Sequence, residues 1–171
     1  MKVIDINTWN RKQHYEHFIG LKDPYFAVTI PFNVTKAYKF SKENHTSFFG
    51  KYLHDCMCMK AINNVDNFRY RIEEDHVVDY NIIHASATIM RSNKTFGFSF
   101  IEYHDDLNIF IKNIAVEKER IENTTDLYPP QNGLDCIHCS AMPWLYFSGQ
   151  KEPVSGVLDS VPKIAFSKIK K

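Results

Sequence analysis

Apolar and polar positions along the chain alternate between helical and strand-like periods. Trp9 to Ile19 sets His14, Tyr15 and Phe18 among charges and predicts a short helix. Pro24 to Pro31 encloses Tyr25-Phe26-Ala27-Val28-Thr29-Ile30, an apolar run that predicts a strand between two prolines. Thr35 to Lys42 predicts a second short helix. Ser47 is a candidate N-cap for a helix reaching about Asn63, with Phe48, Tyr52, Cys56 and Met59 at helical spacing.

Two hairpins come next. Phe68 to Ile72 and His76 to Tyr80 flank the turn Glu73-Glu74-Asp75, and Ile82 to Met90 returns through Arg91-Ser92-Asn93-Lys94 into Thr95 to Tyr103. In that last strand Phe96, Phe98 and Phe100 share a face, because strand side chains alternate. His104-Asp105-Asp106 opens the longest predicted helix, to about Glu122, with Leu107, Phe110, Ile114 and Ile121 as its apolar stripe. After the loop containing Pro129-Pro130, the run Cys136 to Phe147 reads as a buried strand carrying Ser140 and broken at Pro143. Ser148 to Pro162 is rich in Gly and Pro, and Lys163 to Ile169 alternates as a strand. This order predicts an α/β two-layer sandwich, with helices packed on a mixed sheet in one domain over 1–171.

Composition narrows the function classes. Of 171 residues, 44% are hydrophobic and 14% aromatic, which excludes a disordered chain. Twenty-one basic residues against 20 acidic leave a net charge of +1, and the only basic run is Lys168-Ile169-Lys170-Lys171, so a nucleic-acid partner is not expected. The first residues resemble no secretory leader, and no apolar stretch is long enough to span a bilayer, so the cytoplasm and no membrane partner are expected. Cys56, Cys58, Cys136 and Cys139 are then expected as reduced structural thiols. Cys136 and Cys139 have CxxC spacing, but on a strand they point to opposite faces. Cys56 and Cys58 diverge on a helix, so no metal is expected. No HExxH, phosphate-cradling glycine loop or GxSxG elbow occurs. The Phe96, Phe98 and Phe100 face reads either as core or as an aromatic slot for a small ligand.

Four blocks carry a resemblance. Trp9-Asn10-Arg11-Lys12-Gln13-His14-Tyr15, Phe68-Arg69-Tyr70-Arg71-Ile72, Thr95-Phe96 through Glu102-Tyr103-His104-Asp105-Asp106, and Ser140-Ala141-Met142-Pro143-Trp144 stand in the order and spacing of the chloramphenicol acetyltransferases. The resemblance implies a CoA-dependent acyltransferase fold and a homotrimer with active sites between subunits. It also implies acetyl-CoA as cosubstrate and a small hydroxylated aromatic acceptor such as the antibiotic. Tyr25, Phe26, Val28, Phe96 and Phe98 would line the acceptor pocket, Ser140 would hold the oxyanion, and Trp144 would lie on the coenzyme side. His138 replaces the Asn usual in the family two residues before that Ser.

The family's H-H-x-x-x-D-G segment, which supplies the general base and the Asp that pairs with the counterpart of Arg11, does not occur in these 171 residues. The domain is therefore expected to be missing the family's last strand and helix, leaving an open edge at the final strand for a possible partner chain. Arg11, if buried, needs another partner, and His138 becomes the candidate substitute base. Three readings follow: a catalytically silent ligand-binding or subunit-interaction member, a working acetyltransferase completed by a longer form or partner chain, and a structural interaction module.

Overall fold

The computed structural model describes residues 1–56, 59–151 and 157–169, apart from the Cys56 side chain. The expectations for Cys58, for the Cys56 side chain and for Lys170-Lys171 thus lie outside the described residues.

The strands divide between two sheets. Tyr70–Glu73 (β2) and His76–Asp79 (β3) form the first predicted hairpin. Its two-residue turn, Glu74-Asp75, takes positive φ at both positions (47° and 64°), the geometry that matches strand twist. A short N-terminal strand, Lys2–Val3 (β1), not predicted, adds to β3 to give the antiparallel order β1-β3-β2. The second sheet is mixed, in the order β5-β4-β6-β7. His84–Met90 (β4) runs antiparallel to Phe96–Phe98 (β5) and parallel to Cys136–Ala141 (β6), which is parallel to Lys163–Phe166 (β7). The strand predicted over Thr95 to Tyr103 is thus shorter, continued only by an Ala85–Ile101 bridge. β6 stops before Pro143, as its missing donor requires.

One face of the second sheet is the core. Ala85, Ala87, Ile137 and Cys139 pack with Leu53, Met59, Ile62, Ile83, Ile101, Phe110 and Ile114. Phe110 and Ile114 come from Leu107–Asn123 (α5). Asp106 caps α5 by accepting from Asn108 N–H at 2.7 Å and Ile109 N–H at 3.4 Å, satisfying amides that the helix cannot. Phe110, Ile114 and Ile121 are buried as their spacing predicts, while Leu107 is half-buried.

The helix predicted from Ser47 onward begins as expected, with Gly50 N–H donating to the Ser47 hydroxyl at 3.1 Å. It is not one α-helix, however. Phe48–Lys51 (here α3, after the short helices α1, Lys12–Ile19, and α2, Thr35–Glu43) gives way to a π-helical turn over Tyr52–Cys56 before Met59–Asn64 (α4). The wide turn coincides with buried His54. One of its ring nitrogens meets the Asp55 carboxylate, and the other lies 2.8 Å from the His104 carbonyl oxygen. A polar ring in the core needs such partners.

The strand predicted between Pro24 and Pro31 does not form. Residues 22–33 run as an arm without ladder pairing, leaving Phe26 90%, Val28 72% and Ile30 61% exposed. The two prolines cannot donate to a ladder, and among the described residues no strand pairs with the run.

Candidate functional site

A cleft of about 280 Å³ opens between α1 and the turn 158–160. Helical spacing puts Arg11, His14, Tyr15 and Phe18 on the α1 side. Trp9, Ile72 and Tyr25 complete the near walls, and Leu158, Asp159 and Ser160 the far one. Trp9 meets Tyr15 at 6.1 Å and Tyr70 edge-on at 5.7 Å, bordering a smaller hollow of about 170 Å³. Two sequence-predicted residues, Arg11 and Tyr25, therefore share this cleft. Arg11 is exposed and has no side-chain partner among the described residues, so water solvates its charge and burial demands no counter-ion.

Behind the cleft lies a well-fastened turn. Asp159 Oδ1 accepts from Val161 N–H at 2.9 Å, and the other oxygen binds the Lys163 ammonium. Ser160 Oγ accepts from Ile72 N–H at 2.8 Å, and Asp159 N–H donates to the Tyr25 hydroxyl at 2.8 Å. Burial alone would raise the Asp159 pKa. The bonds from Lys163 and Val161 outweigh that, and the carboxylate titrates below its ordinary value.

Ser140 and His138 lie on the face of β6 opposite Ile137 and Cys139. Strand register sets Ser86, His138 and Lys163 in one row, with Ala165 beside Ser140. Neither the Ser140 hydroxyl nor the His138 ring has a hydrogen-bond partner among the described residues. Burial depresses the His138 pKa, and Lys163 adds to the effect against Asp159, so a neutral imidazole is favoured. Cys136 and Cys139 are buried, the Cys136 thiol donating to Gly133 O at 3.3 Å, and burial pushes Cys136 up to about 11 despite nearby Arg71. Among the described residues no group of three or more His, Cys, Asp or Glu could hold a metal ion. No helix there is long and apolar enough to cross a membrane.

The remaining predicted residues do not enter the cleft within one chain. Phe96 and Phe98 meet edge-on at 5.6 Å, and Tyr128 stacks on Phe98 at 5.4 Å. They lie on β5, at the opposite edge of the sheet from β7. Phe100 turns instead to His84, at 5.0 Å. Phe26 and Val28 project to solvent, and Trp144 is 64% exposed. Sequence reasoning did not single out Trp9, His14, Tyr15, Phe18 or Asp159 as site residues. For the helical ones the signal was available, since positions 11, 14, 15 and 18 share one helix face.

Fold and residues together define a mixed α/β chain with an aromatic cleft and a free serine on a central strand. A solved chloramphenicol acetyltransferase superposes with a TM-score of 0.88 at 27% identity, covering 99% of this chain and 83% of that one. The family profile described as chloramphenicol acetyltransferase matches residues 1–165, and the chain belongs to that family. A chloramphenicol acetyltransferase of Klebsiella sp is 26% identical over 152 residues, 85% of this chain and 66% of that protein. Chloramphenicol acetyltransferase 3 of Escherichia coli is 24% identical over 160 residues, 91% and 73% respectively. The match thus spans just under two thirds of the Klebsiella protein's length.

Proposed function

We propose that this chain forms the acceptor-binding and oxyanion-stabilising part of an acetyl-CoA-dependent O-acetyltransferase acting on a small hydroxylated aromatic molecule of the chloramphenicol kind. The observation that carries the reading is the aromatic cleft in which Tyr25 and Arg11 meet. In the reaction the acceptor hydroxyl attacks the thioester carbonyl, its proton passes to a base, the C–S bond breaks, and CoA leaves as thiol. Ser140 donates its unengaged hydroxyl to the oxygen on which negative charge develops, where such a contact counts most. Trp144 stands on the coenzyme side. Phe26, Val28, Phe96 and Phe98 complete the acceptor walls once copies assemble, with the exposed arm of one subunit facing another in a homotrimer. The exposure of Phe26, Val28 and Phe96 in the isolated chain supports that arrangement.

The base is the open element. A positioned base is worth about 10²–10⁴-fold. His138 shares the strand face of Ser140 and is favoured as neutral, yet no hydrogen bond among the described residues orients its ring. We therefore assign to these 171 residues ligand binding without acetyl transfer of their own, and turnover to a base supplied from a longer form or partner chain.

Titration calorimetry with chloramphenicol, and free CoA release from acetyl-CoA with and without it, test this on the purified chain. Binding without acceptor-dependent release is expected. No heat of binding at millimolar acceptor would remove the acceptor reading. Turnover abolished by His138→Gln would overturn the silent reading and make His138 the base.

A further inference from the structure

The arm 22–33 and the turn 159–162 differ in how they are held. Besides the internal bond from Val161 N–H to Asp159 Oδ1, three ties fasten the turn to structured elements: Ser160 to β2, the Asp159 carboxylate to Lys163 of β7, and Pro162 O to His138 N–H of β6 at 3.0 Å. The arm's ties are mostly local. Tyr25 N–H reaches only Asp23 Oδ1 at 3.4 Å, and beyond the arm Thr35 N–H reaches Asn33 Oδ1 at 3.0 Å. Asp23 pairs with Lys151 at 3.6 Å, but both are exposed, and solvent screens such a pair. Among the described residues one hydrogen bond ties the arm to distant chain, and it spans 134 positions: Asp159 N–H to the Tyr25 hydroxyl.

We infer that the Tyr25 hydroxyl is a positioning group: by accepting the Asp159 amide it clasps the apolar arm to the turn ahead of β7 and so sets a wall of the acceptor cleft. The inference rests on the proposed function only for what the cleft binds. The hydroxyl oxygen is used by the clasp, while its proton stays free to donate to a bound acceptor. A loose apolar arm and an anchored turn thereby move together, and the turn carries on into the strand beside His138 and Ser140.

Tyr25→Phe keeps the ring in the cleft and removes the acceptor oxygen. The full chain and this variant are digested with chymotrypsin, and cleavage within residues 25–32 is followed by mass spectrometry. The loss of one net hydrogen bond predicts cleavage there about three- to tenfold faster, with cleavage in α5 and the thermal midpoint unchanged. Where the acceptor is bound or turned over, its Kd or KM rises by a similar factor and kcat changes less. Equal cleavage rates in the two proteins overturn the clasp. Absence of acceptor binding in both, with the cleavage difference kept, overturns the functional reading and leaves the clasp standing.

Discussion

At the scale of single residues, Arg71 shows how a charge can be held in the interior without a counter-ion. It is 1% exposed, yet among the described residues its guanidinium touches no carboxylate. It donates instead to four backbone carbonyls: Leu134 and Cys136 at 2.8 Å each, Tyr70 at 2.8 Å and Phe68 at 2.9 Å. Burial lowers its pKa, with Cys136, Tyr80, Asp135 and Asp159 opposing the shift. These bonds join β2 of the small sheet to the start of β6, whose later residues are His138 and Ser140. Arg71→Met leaves buried carbonyls without donors and is expected to lower stability by about 3 kcal/mol or more. Arg71→Lys is expected to recover little, because a point ammonium cannot reproduce a planar fork. Urea midpoints measure both. A Lys variant as stable as the parent would show that charge rather than fork geometry matters there.

At the scale of elements, α3 and α5 pack closely at Gly50. A Cβ there would lie 2.8 Å from Ile111 Cγ1 of α5. Helix propensity alone would reward Gly50→Ala by about 1 kcal/mol, whereas overpacking costs about 1–3 kcal/mol. The variant is therefore expected to be less stable in a thermal melt, with Ile111→Ala in the same chain relieving part of the loss. A gain in stability would mean that α3 and α5 have room to spare. The same helix marks where sequence reasoning stops. Its start was legible, because the Ser47 cap is local and needs only the next three residues. The π turn was not, since it accompanies a His54 partner fifty positions away, the carbonyl of His104. Both hairpins and α5 were legible from alternation and helical period. The strand expected over 24–31 failed because an apolar run shows only that it can be buried, and among the described residues no neighbour pairs with it. The site divides likewise. Family motifs pointed to Arg11, Tyr25 and Ser140, but Asp159 enters through a long-range backbone contact that leaves no pattern in sequence.

At the scale of the whole molecule, buried imidazoles and paired carboxylates give stability a two-stage dependence on acid. His84 accepts the Tyr103 amide through Nδ1 at 2.9 Å, a bond that only the neutral ring can make. Burial depresses its pKa although Asp135 and Glu102 pull the other way, and His138 is depressed by burial and Lys163. A histidine that titrates lower when folded takes up its proton more readily when unfolded. Its contribution is whole above the ordinary imidazole value of about 6.5 and is lost as pH falls through the lower folded value. Asp55 and Asp159 form the second stage. Burial raises each, but bonds from Lys51 and His54 to the one, and from Lys163 and Val161 to the other, hold both below the usual carboxylate range. Their contribution is whole above about 4 and is lost below it. The urea midpoint of the full chain is thus expected to be level from pH 8 to 7, to decline below about 6.5, and to fall again below about 4. His84→Asn removes one of the two groups behind the first decline and should flatten it, whatever it does to the level at pH 8. A decline of unchanged size in that variant would place the proton uptake elsewhere, with His138 as the remaining ring whose pKa burial depresses.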